Sequence, residues 1–175
     1  GDGIVECMAS WGVDTRLVVH DLNRATMLSC VALPSPETPE FLLIPGANEN
    51  LLSEDIPDSA IKETKILVFG SVTLAYKSAH AVLDGAKRAS QANCEVIFDV
   101  NFRPNVWPDL KTAKKLIWDS IKLSSVVKLN MDECEFLFGH RDVNKATGAL
   151  LKIGTDLICF SDGSAGSTFV TAKAY

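Results

Sequence analysis

Four short apolar runs constrain what this chain can fold into: "TKILVFGS" at 64–71, "CEVIFDV" at 94–100, "SVVKLN" at 125–130 and "DLICFSDG" at 156–163. Between them lie segments whose apolar residues recur at helical spacing. Residues 77–92, "KSAHAVLDGAKRASQA", bury Ala79, Val82, Leu83, Ala86 and Ala89 on this reading. "DLKTAKKLIWDSIKLS" buries Leu110, Ala113, Ile117 and Ile121. "MDECEFLFG" reads as a short helix closed by Gly139, and "VNKATGALLKIG" as a helix closed by Gly154. "GSTFVTA" supplies a final strand. Strand and helix in turn give βαβ units. The expected fold is therefore α/β, a mostly parallel sheet with helices on both faces. The unbroken apolar run at 64–71 suits a strand covered on both sides. With 175 residues the chain is long enough for one domain with a sizeable core.

The first quarter reads differently. Ile4, Val5, Met8, Ala9 and Trp11 line one face of a helix stopped by Gly12. A helix with no strand before it is unusual at the start of an α/β protein, so the N-terminus is expected to be cut. "ATMLSCVAL" at 25–33 and "TPEFLLI" at 38–44 read as two strands joined by a turn at "PSPE", a β-hairpin. It is either an edge hairpin of the main sheet or a flap over a site.

A net charge of −5 and a pI near 5.2 argue against nucleic acid as the main partner. They leave room for a phosphorylated small molecule, which needs only a local cluster of donors. No apolar run approaches the roughly 20 residues that cross a bilayer, and no basic-then-apolar segment opens the chain, so neither a membrane span nor a signal peptide is expected. The five cysteines are scattered, with no C-x-x-C pair, which disfavours zinc. Cys30, Cys94 and Cys159 sit in apolar runs and read as small core residues. A reducing compartment, cytoplasm or organelle stroma, is expected. Trp11, Trp107 and Trp118 read as core or rim packing.

In open α/β sheets the ligand sits beyond the carboxyl ends of the strands. Here those ends carry Gly70-Ser71, Asp99 to Arg103, Lys128 to Asn130 and Ser161 to Gly163, a rim suited to an oxygen-rich anionic ligand. Asp99, Asn101 and Arg103 stand at alternate positions, which on an extended chain point the same way. Asn101 suits sugar hydroxyls, and the planar fork of Arg103 suits a carboxylate or phosphoryl oxygen. Alternatively Asp99 and Arg103 form a structural ion pair. Asn130 and Glu133, three apart at a helix start, suit either a hydrated Mg²⁺ with the phosphates it bridges or a capping box. Gly163 and Gly166 in "SDGSAGS" form either an anion nest or an ordinary hairpin turn with glycines at positive φ.

In their order along the chain these segments resemble the ribokinase-like (PfkB) carbohydrate kinases, most closely the fructokinase and 2-keto-3-deoxygluconate kinase branch. "GDGIVECMASWGVDT" is similar to the family's G-D-x-x-G…L…G-V-D-T segment, and the hairpin, about 24–45, to its β lid. "PGANENL" resembles a segment of ribokinases, "FDVNFRPNVW" the D-x-N-x-R-P-x-x-W pattern, "VKLNMDECEFLFG" the K-x-N-x-x-E…L-x-G stretch, and "FSDGSAGS" the T-x-G-x-x-G turn. The resemblance implies that residues 1–175 are part of a ribokinase-like kinase domain that transfers phosphate from ATP, with Mg²⁺, to a hydroxyl of a sugar or sugar acid. By it Asp99, Asn101 and Arg103 lie near the substrate and the transferring phosphoryl group. Lys128, Asn130, Glu133, Ser161, Gly163 and Gly166 serve the nucleotide phosphates and their Mg²⁺, with no direct metal ligand among them.

The chain departs from the family pattern in three ways. The G-A-G-D motif with the catalytic aspartate would lie beyond Tyr175, the glycine- and asparagine-rich sugar-binding segment would precede Gly1, and "FLLIP" is apolar after Phe41. A sheet lacking its neighbours at both ends is expected to expose apolar faces. Besides part of an active kinase, two readings stay open: an inactive fructokinase-like subunit serving as a scaffold in a larger assembly, and a nucleotide-binding module without catalysis. The expected partners are a small sugar and ATP, with a homodimer through the lid or a larger protein assembly also in view.

Overall fold

A computed structural model describes residues 1–35 and 38–171. In chain order the elements are α1 (Asp2–Ser10), β1 (Leu28–Ser35), β2 (Thr38–Ile44), α2 (Asp58–Glu63), β3 (Ile66–Gly70), α3 (Ala79–Gln91), β4 (Glu95–Asp99), α4 (Leu110–Ile121), β5 (Val126–Asn130), α5 (Met131–Phe138), α6 (Val143–Lys152), β6 (Leu157–Ser161) and β7 (Ser167–Thr171). The sheet runs β3-β4-β5-β6-β7; the first four strands are parallel and β7 returns antiparallel along β6. The α/β expectation therefore holds. The hairpin β1–β2 forms its own two-stranded sheet rather than an edge of the main one. Part of the expected "PSPE" turn, residues 36 and 37, lies outside the described residues, as does 172, the end of the expected last strand.

The core lies on one side of the sheet. Val96, Phe98, Val127, Leu129, Ile158 and Phe160 are buried, and they pack with Ala86 and Ala89 of α3, Ala113, Ile117 and Ile121 of α4, Leu137 of α5 and Leu150 of α6. The opposite face has no helix over it among the described residues. Ile66 is 55% exposed, Val68 65% and Phe169 67%. The expectation of helices on both faces is thus corrected, and connection handedness gives the reason. Right-handed crossovers put every helix on the same face while the strand order advances in one direction, and β3 to β6 never reverse. For the same reason no switch point falls among these strands.

Several smaller expectations change too. Among the described residues β3 pairs only with β4, and Ile66 and Val68 are exposed, so it is not a strand covered on both faces. Leu110 opens α4 and is exposed. Cys30 is exposed on the hairpin, whereas Cys94 is buried. Trp11 is exposed as well, since α1 buries none of its residues. The six-residue α2 follows Pro57 and was not anticipated; it buries one residue, Ile61. Among the described residues no helix is long and apolar enough to cross a membrane.

Candidate functional site

The strand ends line up along one rim. Gly70 stands beside Asp99, Asp99 beside Lys128, Asn130 beside Ser161 and Ser161 beside Ser167. Past Asp99 the amide of Val100 still joins the ladder, donating to the Lys128 carbonyl at 2.9 Å. Then the chain turns. Asn101 has φ +36, a region that asparagine enters more readily than most residues. This ends the extended geometry, so the alternation expected for Asp99, Asn101 and Arg103 does not apply. The proposed Asp99–Arg103 pair does not form either. Asp99 instead meets the Lys128 ammonium at 3.1 Å across the strand pair. Both side chains are partly solvated, so the pair contributes at most about 1 kcal/mol.

Arg103 turns toward the hairpin. Its Nη1 donates to the Phe102 carbonyl at 3.1 Å and its guanidinium lies 4.9 Å from the centre of the Phe41 ring. Pro104 starts a single 3₁₀ turn, Pro104–Val106, which presents Asn105. The Asn105 Nδ2 donates to the Phe41 carbonyl at 2.6 Å. Beneath, Phe102 stacks on Phe136 with ring centres 4.2 Å apart, and Trp107 is buried.

Asn130 and Glu133 do form the capping box. The Asn130 Oδ1 accepts from the Glu133 amide at 2.8 Å, and the Glu133 Oε2 accepts from the Asn130 amide at 2.7 Å. The other Glu133 oxygen accepts from the Phe102 amide at 2.7 Å, so one buried carboxylate fastens the 101–103 loop to the start of α5. Burial pushes the Glu133 carboxyl up, while its bonds from Asn130 and Phe102 pull it part of the way back. With both oxygens committed to backbone amides, Glu133 acts by holding position. The Asn130 side-chain NH₂ keeps no partner among the described residues.

A groove of about 670 Å³ runs between hairpin and rim, lined by Glu40, Phe41, Arg103, Asn105, Asn130 and Asp132 among others. It brings Arg103 and Asn130 together, and its size is that of a small-molecule site. Asp132 pairs with Arg141 at 2.6 Å. Gly163 and Gly166 do not line the groove. They sit one strand further along the rim, in the turn from β6 to β7, with φ +52 and +98. The amides of Asp162, Ala165 and Gly166 close that turn on its own carbonyls. Those of Gly163 and Ser164 have no acceptor among the described residues. Both readings of the turn are therefore present: a glycine hairpin whose leading amides remain free for an anion.

Sequence reasoning offered the hairpin as a flap but missed Asn105, which sits at an unspecified position of the D-x-N-x-R-P-x-x-W pattern and whose partner is a backbone carbonyl. It also placed no site residue in a second hollow of about 680 Å³ beyond β3, bordered by Asn48, Asp55, Thr73 and Lys77. The "PGANENL" segment was the signal for that hollow.

A family model described as pfkB family carbohydrate kinase matches residues 1–174. The aminoimidazole riboside kinase of Salmonella typhimurium is 29% identical over 154 residues, covering 87% of this chain and 48% of its own length. Probable fructokinase-7 of Arabidopsis thaliana is 30% identical over 167 residues, covering 92% and 49%. The crystal structure of a fructokinase from Xylella fastidiosa superposes with a TM-score of 0.87 at 26% identity, over 99% of this chain and 57% of that one. An aminoimidazole riboside kinase from Salmonella enterica, complexed with aminoimidazole riboside and an ATP analog, gives a TM-score of 0.82 at 27% identity, over 98% and 56%. The chain spans about half the length of the curated relatives it matches.

Proposed function

This chain belongs to the pfkB family of carbohydrate kinases and has its ribokinase-like α/β fold, and from that premise we propose that it is part of an ATP-dependent sugar kinase of the fructokinase type. The observation that carries the reading is the shared groove: Arg103 from the β4 loop and Asn130 from the start of α5 meet under the hairpin. The sugar occupies this groove, with Arg103 toward the reacting hydroxyl and the transferring phosphoryl group; Asn101, two residues earlier in the same loop, is not among the residues that line it. The hairpin acts as a lid that keeps water out, so that phosphate passes to sugar and not to solvent. Phosphoryl transfer depends mainly on positioning and charge stabilisation, and these residues suit both.

The nucleotide phosphates fit the next stretch of rim. The unpaired backbone amides of Gly163 and Ser164 and the side-chain NH₂ of Asn130 are donors of the right kind, and Ser161 stands beside Asn130 in register. Among the described residues no three His, Cys, Asp or Glu cluster as metal ligands. A Mg²⁺ would be held here through water and phosphate, with Glu133 fixing the groups around it and Lys128 adding positive charge behind Asp99. When bound, ATP and Mg²⁺ supply the phosphoryl group and its charge neutralisation. No carboxylate of this chain is assigned as the base. Asp99 is tied to Lys128 and Asp132 to Arg141, and no G-A-G-D motif occurs in residues 1–175.

The alternative reading is an inactive fructokinase-like scaffold subunit. The test separates the two. The full-length protein is assayed with ATP against fructose, 2-keto-3-deoxygluconate, ribose and aminoimidazole riboside. A phosphorylated product, with kcat/KM falling about 100-fold or more in Arg103→Ala while the melting temperature holds, supports the kinase. No product with any sugar, or equal loss of activity and stability in Arg103→Ala, overturns it. The outward hairpin face, with Leu28, Cys30, Leu42 and Ile44 in register, suits pairing with a second copy. Sedimentation of a Leu42→Asp variant tests this, and an unchanged mass rejects it.

A further inference from the structure

The hairpin is apolar and yet barely packed. Leu28, Val31, Leu33, Leu42 and Ile44 are all exposed, so hydrophobic burial does not hold it over the groove. Closure of its base and one contact midway along it do. At the base its two ends close on each other: the Ala47 amide donates to the Ala25 carbonyl at 2.8 Å, and Gly46 lies against the backbone of 25–27. Midway along β2, Phe41 receives the Asn105 amide on its carbonyl and the Arg103 guanidinium on its ring. Among the described residues no other hydrogen bond joins β1 or β2 to the rest of the molecule.

A hairpin fixed only at its base pivots there. We infer that Asn105 is a positioning residue, a latch that holds the hairpin over the groove through the Phe41 carbonyl. This deepens the kinase reading and rests on it for its catalytic consequence. Arg103 cannot serve alone, because its contact is with a ring face and leaves the strand free to slide. Asn105 reaches a backbone atom, so it fixes β2 whatever the side chain at 41. The loop bearing Asn105 is itself anchored by Glu133, through the Phe102 amide, to the capping box of α5. The position of the cover over the sugar is thereby tied to the end of the rim proposed for the phosphates.

Asn105 is exposed, so its replacement does not threaten the core. The experiment is hydrogen–deuterium exchange on the full-length protein and its Asn105→Ala and Asn105→Asp variants. Losing one hydrogen bond of ordinary net strength should speed exchange in peptides covering β1 and β2 by about three- to tenfold, with β3 to β6 unchanged. Asn105→Asp should be the faster of the two, since a carboxylate there faces a carbonyl. In an active protein the sugar KM rises by a similar factor while kcat and the nucleotide KM stay put. Unchanged hairpin exchange, acceleration spread equally over the sheet, or an unchanged sugar KM in an active protein overturns the inference. The exchange data need no turnover, so a failure of the kinase reading shows separately, as absence of product from the unmodified protein.

Discussion

Glu133 shows how one side chain can settle between two chemistries. Its oxygens accept from Phe102 and Asn130, and removing both acceptors leaves two partly buried amides without partners. Glu133→Ala should therefore cost about 2–4 kcal/mol in chemical denaturation. Glu133→Gln keeps one acceptor and relieves the buried charge, so it should cost under about 1 kcal/mol. Burial raises the Glu133 pKa above 4.5, so the folded state binds this proton more tightly than the unfolded one. The stability it gives is whole at low pH and is lost as pH climbs from 4.5 through the raised value. The advantage of the natural protein over Glu133→Gln should shrink across that window; a growing advantage would mean the carboxylate is preferred ionised. Asn130→Ala should cost about 1 kcal/mol through loss of the cap. If nucleotide affinity stays the same in that variant, Asn130 caps and does no more. The Asn130–Glu133 spacing was readable in the sequence because a capping box is local. The partner of Asp99 was not, because Lys128 reaches it through the β4–β5 register, which no local pattern encodes.

Two glycines show how the same substitution changes sign between elements. Gly46 closes the base of the hairpin. A Cβ there would collide with the Ala25 carbonyl oxygen and lie 2.9 Å from the Met27 nitrogen, and backbone on both sides cannot yield. Gly46→Ala should cost at least about 1–3 kcal/mol and loosen the hairpin base. Gly85 lies inside α3, where a Cβ would meet only the tip of Ile56, 3.0 Å away. Beside them is an apolar hollow of about 260 Å³ into which that side chain can turn. Alanine gains about 0.8–1.0 kcal/mol of helix propensity over glycine. Gly85→Ala should therefore stabilise by up to about 1 kcal/mol, and a lower melting temperature would show that Ile56 has no room. Elements longer than about two turns, α3 to α6, were legible from periodicity, with glycine stops after α5 and α6. The shorter α2 was not, since six residues hold too few apolar repeats to register against the loop around them.

At the scale of the whole molecule, the strand ends and the exposure of apolar sheet surface were foreseeable, and the choice of face was not. Each βαβ unit could be read locally, which placed Arg103, Asn130 and Gly163 on one rim. Which face the helices cover depends on strand order, and strand order is a property of all the pairings together. The result is a sheet whose second face carries Ile66, Val68 and Phe169 into solvent. Fully burying such a side chain is worth about 1.5–3 kcal/mol, and most of that is not collected here. Residues 1–175 taken alone should therefore bind a hydrophobic dye and self-associate with rising concentration. Val68→Thr with Phe169→Thr keeps the strand preference of β-branched residues and removes apolar surface. The pair should reduce dye fluorescence and association, while the melting temperature moves little, because exposed positions away from the core change stability by only about 0.5 kcal/mol each. A large fall in melting temperature with unchanged dye binding would mean that this face is already packed, and that the helices are not the only cover the sheet has.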